Sequence, residues 1–255
     1  MVKLQELTGF LHKYLDIGSF SDYCVNGVQI EGSNEITRLV TGVSISERLI
    51  REAINFKADS ILVHHGLFWK SSPHPFELTG FQFRRVKLLI ENNISLLGYH
   101  LPLDAHPKIG NNALIAGNLG LQSTEFFEIS GMQNPISTCG NLPVSLEFEQ
   151  FVNHANRMLE TDGIAFNFNN SDVERVYVVS GGAAGYYMDA VNAGADIMIT
   201  GELREDVIRS AEENKLSLYA AGHYNSEKWG VRALGEHLAE KYDIEANFID
   251  IPNPV

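Results

Sequence analysis

Two stretches decide the fold: Ala53-Ile54-Asn55-Phe56-Lys57-Ala58-Asp59-Ser60-Ile61-Leu62-Val63-His64-His65 and Ala190-Val191-Asn192-Ala193-Gly194-Ala195-Asp196-Ile197-Met198-Ile199-Thr200-Gly201-Glu202. Each reads as the end of a helix, a turn, and a short apolar run of strand length. The correspondence continues, since Glu91-Asn92-Asn93-Ile94-Ser95-Leu96 matches Glu213-Asn214-Lys215-Leu216-Ser217-Leu218. The matches keep their order and nearly constant offsets, so the second half of the chain repeats the first.

Strands and helices alternate outward from these stretches. Leu4, Leu7, Phe10, Leu11 and Leu15 fall at helical spacing. Asn26-Gly27-Val28-Gln29-Ile30 reads as a turn into a strand. Leu39–Val43, Ser60–Val63 and Ile94–Gly98 are strand-like; Glu47–Lys57, Phe83–Asn92 and Asn111–Leu119 are helix-like. This alternation specifies an α/β fold built as two similar α/β lobes related by an internal repeat. The repeat covers about residues 36–120 and 174–240. The lobes are expected at 1–125 and 126–255, packed as one unit. Residues 121–173, with a helix over Leu146–Leu159, are either a connecting arm or part of the second lobe.

The chain has 255 residues, enough for one large domain or two small ones. Its 19 Lys and Arg against 32 Asp and Glu give a net charge of −13, which argues against non-specific nucleic-acid or anionic-membrane binding. Cys24 and Cys139 form no spacing motif and are expected as reduced thiols. The amphipathic N-terminus lacks a signal-peptide core, and no apolar run is long enough to span a membrane. The expected location is the cytoplasm.

Ligand groups in open α/β folds sit at the carboxyl ends of strands. Three such ends carry histidine: Val63-His64-His65-Gly66, His100-Leu101-Pro102-Leu103-Asp104, and Gly222-His223-Tyr224-Asn225-Ser226-Glu227. Adjacent imidazoles on an extended chain point to opposite sides, so His64 and His65 serve different ions if the chain turns, and Gly66 allows a turn. His223 and Glu227 share a helix face one turn apart. His100 with Asp104 and His223 with Glu227 read as two copies of one device. Imidazoles plus carboxylates without thiolate suit divalent Zn, Fe, Mn, Ni or Co, and paired ions support hydrolytic chemistry.

A lone strand-end histidine is more often a packing residue than a ligand; three in a repeated architecture shift that balance. His12, His154 and His237 lie on helices without acidic partners and read as surface or packing residues. His74, between Pro73 and Pro75, reads as a loop residue. His106 is a packing or neighbouring residue, and His100 a ligand, a proton shuttle or an orienting group. Thr200-Gly201-Glu202 stands at the repeat position of His64-His65. Glu202 is either a substrate contact or general base, or a helix-capping acid, and Thr200 and Gly201 are weak substrate-binding candidates. Gly181-Gly182-Ala183-Ala184-Gly185 reads equally as a phosphate-cradling turn or a tight strand-to-helix turn.

The three histidine motifs, with Asn26-Gly27-Val28-Gln29 and Thr200-Gly201-Glu202, resemble the YbgI-type, NIF-three-like family of dinuclear-metal proteins, often labelled GTP cyclohydrolase I type 2 homologues. The resemblance spans essentially the whole chain, in the short form of the family. It implies a homohexameric ring and two divalent metal ions per chain. The implied ligands are His64, His65, Asp104, His223 and Glu227, with either Glu227 alone or Glu227 and Asp104 shared between the ions, and His100 nearby in a ligand-neighbouring or catalytic place. Many relatives carry Thr-Asn where this chain has Leu101-Pro102, which leaves that wall less polar. The expected function is a metal-dependent hydrolase acting on a nucleotide or small phosphorylated substrate; the alternative is a non-catalytic metal-binding or regulatory ring.

Overall fold

The repeated apolar runs become parallel strands, each preceded by a helix that turns back on it. The structure, a computed structural model, describes residues 1–70, 77–132 and 134–254, so His74 lies outside the described residues. In chain order the first elements are β1 (Val2–Lys3), α1 (Leu4–Tyr14), β2 (Gly27–Ile30), β3 (Glu35–Ile36), β4 (Arg38–Ser44), α2 (Glu47–Asn55), β5 (Ser60–His65), α3 (Gly80–Glu91), β6 (Ser95–Gly98) and α4 (Leu101–Asp104). Then follow α5 (Asn111–Asn118), β7 (Gln122–Glu128), β8 (Pro135–Leu146), α6 (Phe148–Leu159), β9 (Ile164–Phe166) and β10 (Val173–Val178). The last are α7 (Tyr187–Asn192), β11 (Ile197–Thr200), α8 (Glu205–Glu213), β12 (Ser217–Ala220), α9 (His223–Tyr242) and β13 (Glu245–Phe248).

Two compact units divide the chain. One is Met1–Leu103 with Gly230–Ile251; the other is Asp104–Trp229 with the residues from Pro252 onward. This differs from the expected boundary after residue 125. The reason is a ladder: β13 returns to pair in parallel with β4, taking the C-terminal part of α9 into the first unit. Asp104 in turn belongs to the second unit.

The first unit carries a five-stranded sheet in the order β13-β4-β5-β6-β2. Its core contains Val40, Leu49, Ile50, Ile61, Val63, Leu89 and Leu96. Ser46 starts α2 by accepting the Leu49 amide at its side chain, and Leu49, Ile50 and Ala53 are the buried face. The second unit carries a six-stranded sheet in the order β7-β8-β10-β11-β12-β9, over a core with Phe151, Leu159, Val176, Ile197, Ile199 and Tyr219. Residues 121–173 are therefore integral to the second unit, because β7, β8 and β9 are strands of its sheet.

The repeat is physical. β4-β5-β6 and β10-β11-β12 are both parallel triplets, and each third strand carries an antiparallel neighbour, β2 or β9. Lys57 and Gly194 take positive φ in the same turn, as do Asn93 and Lys215. Asp59 Oδ2 accepts the Thr37 and Arg38 amides at 2.8 and 2.9 Å, and Asp196 Oδ2 accepts those of Glu174 and Arg175 at 3.0 and 2.7 Å.

The register corrects one reading. Val63 pairs with Gly98 and Thr200 with Ala220. The Tyr99 amide then bonds the Val63 carbonyl as the Ala221 amide bonds that of Thr200, both at 2.9 Å. His100 is thus the counterpart of Gly222, and His223 of Leu101. The two histidines are not copies of one device but stand one residue apart in it.

Each aspartate ties the entry of one sheet. Asp59→Ala and Asp196→Ala are each expected to cost about 1–3 kcal/mol, the net worth of two amide hydrogen bonds at about 0.5–1.5 kcal/mol each. Urea unfolding measures the loss, and hydrogen exchange locates it. Asp59→Ala should loosen β4 and Asp196→Ala β10; equal loosening of both sheets by either variant contradicts the assignment.

Candidate functional site

In the first unit, β5 and β6 are neighbouring parallel strands, so their carboxyl ends bring His64, His65 and His100 together. Ring centroids lie 4.7 Å apart for His64–His65, 4.8 Å for His64–His100 and 5.6 Å for His65–His100. One ring nitrogen from each lies within 4.8 Å of the others. His64 and His100 are buried, and His65 is half-buried. Both His64 and His65 lie within strand β5, so no turn separates them.

Each of the three rings is anchored through Nδ1. His64 Nδ1 donates to the Tyr99 carbonyl at 3.0 Å, and His65 Nδ1 meets Ser44 Oγ at 2.9 Å. His100 Nδ1 donates to Asp22 Oδ1 at 3.0 Å. A carbonyl and a carboxylate only accept, so for His64 and His100 the neutral tautomer carries its lone pair on Nε2, as a metal-ligating imidazole does.

Asp22 is the residue the sequence did not reveal. It is buried and accepts from the amides of Cys24 and Leu101 and from Asn26 Nδ2, each at 2.9 Å. Asn26 Oδ1 accepts the His100 amide at 2.8 Å. Burial alone would push the Asp22 carboxyl up, but the hydrogen bond and charge of His100, with the Cys24 and Asn26 donors, hold it at about 2.

Gln29 fixes the chain beyond His65. Its Oε1 accepts the Leu67 amide at 2.6 Å, and its Nε2 donates to the Val25 carbonyl at 2.7 Å. A Cβ on Gly66 would fall 2.3 Å from Gln29 Oε1. Gly66 is therefore needed for close approach, not for the turn read from sequence. Burial and then the Asp22 charge push the Cys24 thiol up to about 11.

In the second unit, α9 begins at His223, which places His223 and Glu227 one turn apart with Nε2 and Oε2 3.0 Å apart. Glu202, just beyond β11, bonds His223 Nδ1. Glu202 thus does for His223 what Asp22 does for His100. Burial would push His223 down, but the carboxylates of Glu227 and then Glu202 hold it up at about 9. The two carboxylates thus favour positive charge at this place.

Asp104 closes the one-turn helix α4 and accepts from Asn111 Nδ2 at 2.7 Å and Ser180 Oγ at 3.3 Å. The glycines of the second unit make room for these groups. A Cβ on Gly181 would sit 2.2 Å from Glu227 Oε1, and one on Gly201 would sit 2.7 Å from both the Gly181 carbonyl oxygen and Ser226 Oγ. The Ser180 amide donates to Asn112 Oδ1 and the Gly181 amide to Ser226 Oγ. Two amides that a phosphate cradle would use are thus already committed, which favours the reading of Gly181–Gly185 as a tight strand-to-helix turn. Thr200 is fully buried with its hydroxyl 3.3 Å from the Gly181 carbonyl, so it faces the interior. Gly201 and Glu202 line a cavity.

The remaining histidines among the described residues make local contacts. His154 Nε2 donates to the Leu119 carbonyl, His237 stacks on Tyr14, exposed His12 lies edge-on to Tyr99, and His106 Nδ1 accepts the Lys108 and Ile109 amides. Two imidazole- and carboxylate-bearing clusters thus emerge, one per unit, and their nitrogen and oxygen donors fit borderline divalent metal ions.

The folded Asp22 carboxyl titrates at about 2, against the ordinary 3.8 of the unfolded chain. Its stabilisation, about 2 kcal/mol, is complete above 3.8 and is lost as pH falls through 2. Asp22→Asn is expected to remove this component of acid unfolding, measured as stability against pH from 2 to 6. An acid limb identical to the wild type refutes the assignment.

The Duf34/NIF3 (NGG1p interacting factor 3) family model matches residues 2–254. The chain is 40% identical to the GTP cyclohydrolase 1 type 2 homolog of Yersinia pestis, over 98% of each protein. Among solved structures, it is similar to the protein ybgI, described as of unknown function, with a TM-score of 0.91 and 38% identity over 100% of each chain. It is similar also to TTHA1606 from Thermus thermophilus, with a TM-score of 0.91 and 30% identity over 100% of each chain. With its sequence matched from end to end and both histidine clusters built as described, the chain belongs to the Duf34/NIF3 family.

Proposed function

We propose that this protein holds two divalent metal ions and acts as a metal-dependent hydrolase on a nucleotide or small phosphorylated substrate. His64, His65, Asp104, His223 and Glu227 would hold the ions in this reading. The observation that carries it is the triple-imidazole cluster, in which Nδ1 of every ring has a partner and one nitrogen of each ring lies within 4.8 Å of the others. Bound divalent ions supply Lewis acidity and lower the pKa of water. The chain's own groups do the rest. Asp22 fixes the His100 tautomer so that Nε2 takes and returns a proton, and Glu202 keeps His223 oriented. Asn111 and Ser180 hold the Asp104 carboxylate in place.

The name of the Yersinia pestis relative supports a nucleotide substrate. The resemblance supports self-association into a hexameric ring. A cytoplasmic location is consistent with two buried free cysteines. No helix among the described residues is long and apolar enough to cross a membrane.

Elemental analysis of purified protein loaded in turn with Zn, Mn, Fe, Co and Ni is expected to give about two ions per chain. His65→Ala and Glu227→Ala should each retain about one ion or fewer. Fewer than one ion per chain under every loading condition ends the dinuclear reading. The loaded protein is then assayed for hydrolysis of GTP, other nucleotides and phosphoesters. Full metal content with no turnover dependent on His65 and Glu227 assigns the protein to the non-catalytic alternative. Light scattering on the eluting protein tests assembly: a mass of about six chains is expected, and a monomer refutes the ring.

A further inference from the structure

Helix α3 of the first unit leaves large apolar side chains in water. Phe81 is 53% exposed, Phe83 47% and Ile90 61%. The buried residues of the helix are Val86 and Leu89, which face the core of the unit. The helical period sorts the others into two stripes. Phe81, Arg84 and Arg85 stand at i, i+3 and i+4, and Phe83, Lys87 and Ile90 at i, i+4 and i+7. Single exposed apolar residues are ordinary on a protein surface. Three on one helix, interleaved with three cations, form a patch.

The charges of this patch do not balance. Arg84 Nε donates to Glu47 Oε1 at 2.6 Å, and Lys87 Nζ lies 3.6 Å from Glu91 Oε1. Arg85 also feels the Glu47 charge, but Arg84 holds that carboxylate. Arg85 lies instead over Phe81, its guanidinium carbon 4.9 Å from the ring centroid. Its Nε is buried and has no hydrogen-bond partner among the described residues. A buried N–H of a permanent cation without an acceptor is unfavourable, and an incoming carboxylate removes the deficit.

We propose that this face of α3 docks an acidic segment of another protein, in which a carboxylate accepts from Arg85 and a neighbouring apolar side chain covers Phe81. Charge complementarity selects the occupant. One carboxylate, Glu47, stands among two guanidiniums, so the face lacks an acid. A free anion such as phosphate would answer Arg85 but leave Phe81, Phe83 and Ile90 in water. An anionic membrane is opposed by the net charge of −13 carried by the rest of the chain. Aromatic residues and arginine together are the composition of interface cores, and arginine is prominent among the residues that dominate binding. The proposal is independent of the metal reading, since α3 carries no histidine.

Selection from a random dodecapeptide library displayed on phage, against the full chain immobilised through its C-terminus, tests it. Peptides with Asp or Glu beside Phe, Leu or Trp are expected to be enriched. The selected peptide, labelled with fluorescein, is then titrated by fluorescence polarisation. Arg85→Gln and Phe81→Ser should each weaken it about tenfold, and Arg209→Gln on α8 should leave it unchanged. Added salt should weaken it as well. A thermal melt checks folding, and Phe83→Ser replaces Phe81→Ser if that variant is unfolded. Enrichment of no peptide, or of a consensus without acid, overturns the proposal. So does a peptide whose binding neither α3 variant diminishes, or one that inorganic phosphate displaces as well as unlabelled peptide does. Light scattering on Phe81→Ser supplies the last arm. An unchanged mass is expected; a smaller assembly than the wild type assigns the face to contact between copies of this chain and overturns the proposal too.

Discussion

Everything at the candidate site depends on acceptors that hold histidine rings by Nδ1. An imidazole in a buried place has two problems: two nearly equivalent tautomers and a ring free to rotate. A carbonyl or carboxylate on Nδ1 settles both, because an acceptor-only partner demands a proton there and fixes the ring plane. His64 has the Tyr99 carbonyl, His100 has Asp22 and His223 has Glu202. The two carboxylates come from unrelated places, a loop before β2 and the end of β11. The repeat did not supply them as copies; each unit reached the same solution with different residues.

That asymmetry follows from register. Duplicated parallel triplets create equivalent strand ends but not equivalent side chains. Where the first unit has His64 and His65, the second has Gly201 and Glu202, and where the first has His100, the second has Gly222. His223 stands one residue further on, as the first residue of a long helix. A helix start lets His223 and Glu227 share a face, which an extended continuation would prevent. The first unit, with its one-turn helix after His100, gathers imidazoles from two strands instead. One cluster is therefore rich in imidazole and the other in carboxylate.

The strands and helices were legible because periodicity is local. Ser60–Val63 reads as a buried strand from four residues, and Leu49, Ile50 and Ala53 mark a helix face without reference to anything distant. His64-His65 and the His223/Glu227 pair were legible for the same reason: their partners are neighbours in the chain. Asp22 was not, because the fold brings it to His100 across 78 residues and no spacing encodes that distance. The same holds for Ser180 on Asp104, 76 residues apart. The unit boundary was also hidden. Glu245–Phe248 reads as a strand in either unit, and only its ladder with β4 assigns it to the first.

The glycines show how one sequence signal carries two physical meanings. Gly181-Gly182 after a strand has the composition of a phosphate loop, and Gly66 after two histidines has that of a turn. In both places the missing Cβ is filled by a polar side chain: Glu227 Oε1 against Gly181, and the Gln29 carboxamide against Gly66. A side chain pressed against backbone loses rotamers, and a buried carboxylate loses hydration, so such contacts persist only where other bonds hold the group. Gln29 has the Leu67 amide and the Val25 carbonyl as its restraints, and the Glu227 carboxylate has His223. The carboxylates of the second cluster outnumber its lone histidine, and the positive charge they favour is what the high titration point of His223 registers. The glycine that brings Glu227 close to the backbone therefore belongs to charge recognition as much as to folding.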